Sequence, residues 1–461
     1  QKYYERILKG DVMFNSLRKN KIVRDKVFLT IGILLLITIV SNLPILSIDR
    51  SYLSNWMSGS IFNSFYLFQL MGGNSFSSMS IFALGVSPYI SASIILQLAE
   101  VVFPKIKENR EDGKTGKDWY ENVTYLVAFI LCVIEAISMT AYVSKTGLLY
   151  KGKGYIVLTC VSMIIGSIIL VALGKVIEKK GIGNGISLIL MFNILSGFPT
   201  DVRNIYLSHI RNKSALHITL TVIITVAIIV AMYIAIIYLQ DTEKRIKVSY
   251  SGKMVGNKLQ QNQKNYIPLK LNMAGVIPVI FAATIFQLIT LIMRALPDNN
   301  ITNFITSMFT TSSWFDIHNP AYTIGVVFYI ALIIFFSYFY NEIQFNVKDV
   351  ADNLKKSGGV INGIRPGSET EKYLKEKLQY LVLMGAIVMS VLVLVPIIIT
   401  GLVGMSSLSF GSTSLIIVVG VIIETKKAFD TDVASTRVPD RLFAKSANKN
   451  GKDTKEKGLF A

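Results

Sequence analysis

The residue most able to do chemistry here is Glu135, a carboxyl in the middle of the apolar run FILCVIEAISMT. Ionisable groups at membrane depth usually mark ion pathways or coupled transport, where several act together. This chain supplies no such set, because Arg294 lies near the end of its own apolar run, within snorkelling reach of the interface. The other polar residues within apolar runs are uncharged: Gln97, Asn272, Gln287, and the serines Ser87, Ser91 and Ser93. Such a lining suits the passage of something large and chemically varied. A small-solute site would need convergent charges or donors.

Catalytic and metal motifs are missing from the sequence. There is no Walker A loop, no H-E-x-x-H and no Cys/His spacing for a metal, so the chain reads as a non-enzyme without a cofactor. His209, His217 and His318 fall in or beside connecting segments, as solvated or interfacial histidines. Cys132 and Cys160 lie in apolar runs, as buried thiols rather than a disulfide framework. GIGNGIS at 181–187 has glycines spaced like a dinucleotide loop, but no βαβ unit surrounds it. A tight turn into a helix explains it better. A secondary transporter predicts intramembrane charge pairs and short loops, and an intramembrane protease needs paired aspartates or a Ser/His set; the sequence has neither.

The elements that carry these residues are membrane spans. The 461 residues are 52% hydrophobic and only 16% charged, which defines an all-α membrane protein. Apolar windows fall near 27–48, 79–101, 122–143, 154–174, 185–199, 216–240, 272–296, 321–340, 379–400 and 409–424, giving ten spans of which the fifth is short. The first residues, QKYYERILKG, lack a signal-peptide pattern, so the first span is expected to be retained as an anchor. Of the 47 Lys and Arg, 39 fall in the segments that lie inside if the N-terminus is inside. That asymmetry predicts two cytoplasmic termini. Ten spans divide into two halves of five, and an odd number makes the second half enter from the opposite side, an inverted repeat.

Ile81 to Leu98, IFALGVSPYISASIILQL, combines Gly85, Pro88, serines and Gln97, a mixture tolerated where a helix packs on protein or lines a cavity. A kink at Pro88 is expected. Upstream, Phe62 to Gly73 has an apolar part too short to span and fit for a re-entrant segment. The sequence of re-entrant helix, glycine hinge and kinked span reads as a gate.

Two inner loops are long. Residues 243–271 carry the alternating runs RIKVSYS and NYIPLKL, which predict a β-hairpin finger. Residues 348–378 read as a helix (VKDVADNLKKSG), a Gly/Pro elbow (GVINGIRPG) and a capping box at 368–371 that opens the ninth span. Lys244, Arg245, Lys247, Lys253, Lys258 and Arg365 on these loops suit docking to ribosomal RNA or an acidic motor protein. The tail from Asp430 is polar and Lys-rich, and disorder is expected after Arg441.

Five stretches in one order, SIFALGVSPYISASIILQL, GIGNGISL, IPLKLNMAGVIPVIFA, ADNLKKSGGVINGIRPG and FGSTSLIIVVGV, resemble the SecY family, channel subunits of the Sec protein translocon. The resemblance implies ten helices in two inverted five-helix halves around a central pore. These would be segments 27–200 and 201–427, with inner loops 241–270 and 341–378, flanked by cytoplasmic segments 1–26 and 428–461. It implies a pore ring of Val86, Ile90, Ile186, Leu190, Ile280 and Ile417, where an apolar constriction dewets and blocks ions. It implies a plug over 62–73, including Phe62, Phe65, Leu67, Phe68, Leu70, Gly72 and Gly73. Gln97, Glu135 and Asn272 would stand at a lateral gate between spans two and three and spans seven and eight. Lys244, Arg245, Lys253 and Arg365 would dock cytosolic partners.

The implied function is translocation of secretory polypeptides across the cytoplasmic (inner) membrane, with lateral release of signal sequences and membrane helices into lipid. The implied partners are SecE-like and SecG-like small subunits, a SecA-like motor ATPase, the ribosome, nascent chains and membrane lipids. Two departures fit a divergent or accessory channel. EDGKTGKDWYEN in the first inner loop is more acidic than the family pattern, and Glu135 replaces a neutral polar residue. Glu135 is expected to be protonated or hydrogen-bonded at the gate, for example to Asn272.

Overall fold

The structure is a computed structural model that describes residues 20–49, 72–145, 147, 149–150, 152–205, 215–250, 254–255, 258–259, 265–297, 299–310, 314, 320–403 and 414–433. Most of the plug segment, including Phe62, Phe65, Leu67, Phe68 and Leu70, lies outside these residues, as do Lys253 and the tail beyond 433.

Helices α1 (Lys21–Ser41), α2 (Asn74–Ser77), α3 (Ser87–Val102), α4 (Pro104–Glu111), α5 (Gly113–Lys145), α6 (Lys153–Lys180) and α7 (Gly185–Ile205) build the first part. The second part holds α8 (Ala215–Asp241), α9 (Ile277–Ala295), α10 (Asn300–Met308), α11 (Ile324–Gln344), α12 (Val347–Lys356) and α13 (Ser368–Val403), with α14 over 414–433. Each of the ten apolar windows contains one of these helices. Four stretches, Gly113–Ser144, Lys153–Lys180, Pro320–Lys356 and Ser368–Ile398, are by themselves long and apolar enough to cross a bilayer. Their outward faces expose Leu126, Ile130, Ile165, Ile169, Phe335 and Val391, as expected where the solvent is lipid.

The second window differs from the sequence expectation. Residues 81–86 form turns, and the helix begins at Ser87 with Pro88 in its first turn. Proline therefore starts this helix instead of kinking it, since its missing N–H falls where none would be bonded. The break lies at the other end, where α3 and α4 meet at 107° across Phe103. Glu100, nearly buried at the end of α3, receives two bonds from Arg110 Nη1 at 2.8 and 2.9 Å, which pin α4 back.

The hairpin finger is present. β1 (Glu243–Tyr250) pairs antiparallel with β4 (Asn265–Lys270), with Glu243 opposite Lys270 and Val248 opposite Asn265. Two short strands, β2 (Met254–Val255) and β3 (Lys258–Leu259), pair within the tip. The elbow adds a strand that sequence patterning did not show, β5 (Gly359–Ile361), on the other edge of β1. Alternation along β1 buries Ile246 and Val248 against Leu354 of α12, Ile361, and Leu374 and Leu378 of α13. Finger, elbow and ninth span thus share one core.

GIGNGIS is a turn into a helix. Gly183 has φ +73°, and the Asn184 side chain accepts from the Ser187 N–H at 3.2 Å, capping α7. Gly185 lies against α6 so closely that a Cβ would overlap the Gly174 carbonyl oxygen. Gly185→Ala is expected to destabilise the protein by about 1–3 kcal/mol through overpacking. Gly154→Ala, with open space around it, should not. Thermal unfolding of the detergent-solubilised variants reads the difference.

Candidate functional site

One apolar cluster brings all six ring residues together. Val86, Ile186, Leu190 and Ile417 are buried in it, and Ile90 and Ile280 pack against it half-buried. They come from the turn before α3, from α3 itself, and from α7, α9 and α14, so the second, fifth, seventh and last spans of the sequence meet at one point. Phe82, Leu170 and Ile177 back the cluster. Among residues so far apart in sequence, only the tertiary fold brings them into one cluster.

The seam between α3 and α5 on one side and α9 and α11 on the other has an apolar part and a polar part. Ile94 of α3 packs with Phe281 of α9 and Phe336 of α11, with Ile90, Leu98 and Leu332 around them. The two phenyl rings meet edge-on at 5.3 Å. Among the described residues, the polar part holds a direct bond from Gln287 Nε2 of α9 to Ser87 Oγ at the start of α3, 2.9 Å long and fully buried. Sequence reading placed both residues inside spans but did not pair them. Their separation of 200 positions gave no local signal.

Glu135 lies beside this bond. It is 1% exposed, the Ser87 hydroxyl faces it, and neither carboxyl oxygen makes a hydrogen bond. The buried Ser91 Oγ, Gln287 Oε1 and Thr290 Oγ1 likewise lack partners. The expected bond from Asn272 to Glu135 is not formed. Asn272 Nδ2 donates instead to the carbonyl of Gly275 at 2.7 Å, because the turn before α9 folds the amide back onto its own backbone. Gln97 Nε2 also finds a local partner, donating to Ser93 Oγ at 3.0 Å one turn earlier in α3, while its Oε1 is buried without one. The polar contact that spans the seam therefore belongs to Ser87 and Gln287.

Of the plug residues, Gly72 and Gly73 are described. Gly73 has φ +56°, and a Cβ there would overlap the Asn193 carbonyl of α7. A glycine is required for this close approach as well as for any hinge.

On the loop platform, Lys244, Arg245 and Arg365 are exposed. Arg245 lies over the Tyr266 ring at 4.8 Å and binds Glu243 at 2.7 Å, which raises its already high pKa through the hydrogen bond and the nearby charge. Pairing of β1 with β5 brings the Arg365 elbow beside the finger base. There the Arg365 carbonyl accepts from Thr370 Oγ1 at 2.8 Å.

Apolar helices long enough to cross a bilayer, with spans far apart in the chain meeting in one aliphatic cluster, describe a multi-span membrane protein. The comparisons with known proteins agree. The SecY family model matches residues 80–426. A protein translocase subunit SecY of Staphylococcus epidermidis is 34% identical over 424 residues, covering 90% of this chain and 95% of that protein. One from Helicobacter pylori is 31% identical over 421 residues, covering 90% and 97%. A solved protein-conducting channel superposes with a TM-score of 0.61 at 19% identity, covering 89% of this chain and 93% of that one. Canine Sec61 in a ribosome–channel complex gives 0.57 at 18%, with the same coverage. The chain belongs to the SecY family.

Removing Ser87 while keeping Gln287 strands a buried amide, at a cost of about 1–3 kcal/mol to the closed seam. Ser87→Ala should therefore widen acceptance of weakened signal sequences, while Gln287→Leu, which removes the buried polar group altogether, should leave acceptance unchanged or narrow it. Glu135→Gln supplies donors to its unpaired neighbours and should narrow it. Export of a reporter with graded signal hydrophobicity measures all three, and equal acceptance throughout would discard the seam as a gate element.

Proposed function

We propose that this chain is a protein-conducting channel that passes unfolded polypeptides through the Val86, Ile90, Ile186, Leu190, Ile280 and Ile417 ring and releases apolar segments sideways between α3 and α9. The observation that carries this reading is the single cluster holding all six ring residues. A ring of aliphatic side chains excludes ions by dewetting and deforms around a translocating chain without breaking any bond. An apolar signal segment competes for the seam by offering burial to both its sides. Only one direct hydrogen bond across the seam resists, among the described residues. The chain performs no covalent chemistry in this reading, so the driving energy comes from a partner.

In this reading both termini and the finger lie in the cytoplasm, an orientation that the basic asymmetry of the loops supports, and the protein lies in the inner membrane. The sheet of β1, β4 and β5 presents Lys244, Arg245 and Arg365 to a ribosome or a SecA-like motor, with Lys253 carried by the same hairpin in sequence. SecE-like and SecG-like subunits would pack on the lipid-exposed helices. The segment 62–73 serves as plug, ending at the close Gly73–Asn193 contact. Charge reversal at Arg365 should weaken partner binding, with a shallower salt dependence.

The deciding experiment is crosslinking from a stalled secretory chain to cysteines placed singly at Ile90, Ile186, Ile280 and Ile417, with lipid-facing Ile165 as control. Crosslinks at the four ring positions and not at the control are expected. An engaged chain that reaches none of them would refute the pore assignment.

A further inference from the structure

A cavity of about 370 Å³ lies away from the ring, between α3, α5 and α6. Its floor is formed by Pro88, Cys132 and Ser167, all buried. Its rim is formed by Phe129 and Ile168, which are 51% and 48% exposed on the face that meets lipid. The cavity is thus an apolar groove open to the bilayer. Protein interiors do not leave such volumes empty, because the lining atoms would forfeit their contacts. Water gains little there, since few polar groups converge on the floor. Hydrocarbon, the surrounding solvent, fills it without loss.

The groove has one polar end. Lys175 lies 2.9 Å from Glu121 and 3.1 Å from Glu178, the Tyr125 hydroxyl donates to Glu121 at 2.9 Å, and the Tyr89 ring is 6.0 Å from the Lys175 ammonium. This end holds one cation between two carboxylates, with Lys179 and Lys180 exposed just beyond. The signs alternate over a short distance. A purely anionic head group would meet Glu121 and Glu178 as well as the lysines. A zwitterionic head group, with a phosphate and an ammonium a few ångströms apart, matches both signs at once.

We infer that the α3–α5–α6 groove is a phospholipid site, with one acyl chain laid along Phe129, Cys132 and Ile168 and an amine-bearing zwitterionic head group over Lys175, Glu121 and Glu178. The site is separate from the seam between α3 and α9, on the opposite flank of α3. Because Pro88 and Tyr89 form the first turn of that helix, an occupied groove braces the closed position of the gate, a consequence that rests on the gate reading above. The binding itself does not depend on that reading.

Cys132 on the groove floor is a native reporter. In a Cys160→Ser background, alkylation of Cys132 by a small maleimide is measured on the full chain in detergent. Delipidation should speed it at least tenfold, and added phosphatidylethanolamine should slow it again, at least threefold more effectively than phosphatidylglycerol at equal concentration. Ala172→Trp, which fills the groove from its exposed rim, should abolish the lipid effect and remove one retained phospholipid per chain in native mass spectrometry. Alkylation indifferent to lipid, or an unchanged lipid count in the variant, would overturn the site. Equal or better protection by phosphatidylglycerol would overturn the head-group assignment. Protection that requires a protein subunit and no lipid would make the groove a protein contact and overturn the proposal.

Discussion

The structure depends on one constraint: an opening through a membrane must exclude ions at rest and still yield to a polypeptide. Polar or charged side chains at the narrow point would hold water and conduct. Six aliphatic side chains from the turn before α3 and from α3, α7, α9 and α14 share one cluster, and as the proposed ring they would meet the constraint by presenting nothing that water can bond. The packing around them brings these elements close. Gly166 lies against the Ile81 carbonyl, Gly174 against Ile186, and Gly185 against Gly174, so α6 and α7 approach with backbones nearly touching. Small residues serve this purpose in membranes, where helices associate through close contact rather than through exclusion of water.

Beside that cluster, the seam between α3 and α9 combines an apolar part with a polar part. Its apolar side is ordinary packing of Ile94, Phe281 and Phe336, which lipid or an apolar client can replace at little net cost. Its polar side is a single bond with several unpartnered buried atoms around it. Each such atom costs the packed seam, and in the proposed gate that cost would be relieved when water or a client enters. A gate that opens on contact with a modestly apolar segment needs a closed state that is only slightly preferred. Glu135 deepens the same imbalance, since a buried carboxyl without a hydrogen-bond partner carries a desolvation cost of its own.

The loop platform converts two connections into a rigid body. The finger would be a marginal hairpin alone. The elbow strand β5 and the amphipathic α12 give it a core shared with the first turns of α13. A push on the finger or on Arg365 is therefore delivered to the ninth span and not lost in a flexible loop. At the other side of the mouth, Val23, Ile182, Phe429 and Val433 pack together, and Lys26 pairs with Asp432 at 2.8 Å, joining α1 to α14.

Much of the architecture was legible in order along the chain. Hydropathy placed a helix in each of the ten windows, the alternation of RIKVSYS and NYIPLKL placed β1 and β4, and GIGNGIS was correctly separated from a nucleotide loop. These features depend on residues within a few positions of one another, where period and turn chemistry operate. Pro88 was misread because proline is equally at home within a broken helix and in the first turn of one, and only the turns at 81–86 distinguish them. The strand β5 was missed because three residues carry too little periodicity to register. Asn272 and Gln97 were placed at the seam, but their amides find partners three or four residues away. What the sequence by itself determined was which segments enter the membrane and where the chain turns. Which buried polar groups meet, Gln287 with Ser87 and none with Glu135, was decided only by the tertiary structure. Contacts between helices depend on rotation and depth within the bundle, and no local pattern encodes either.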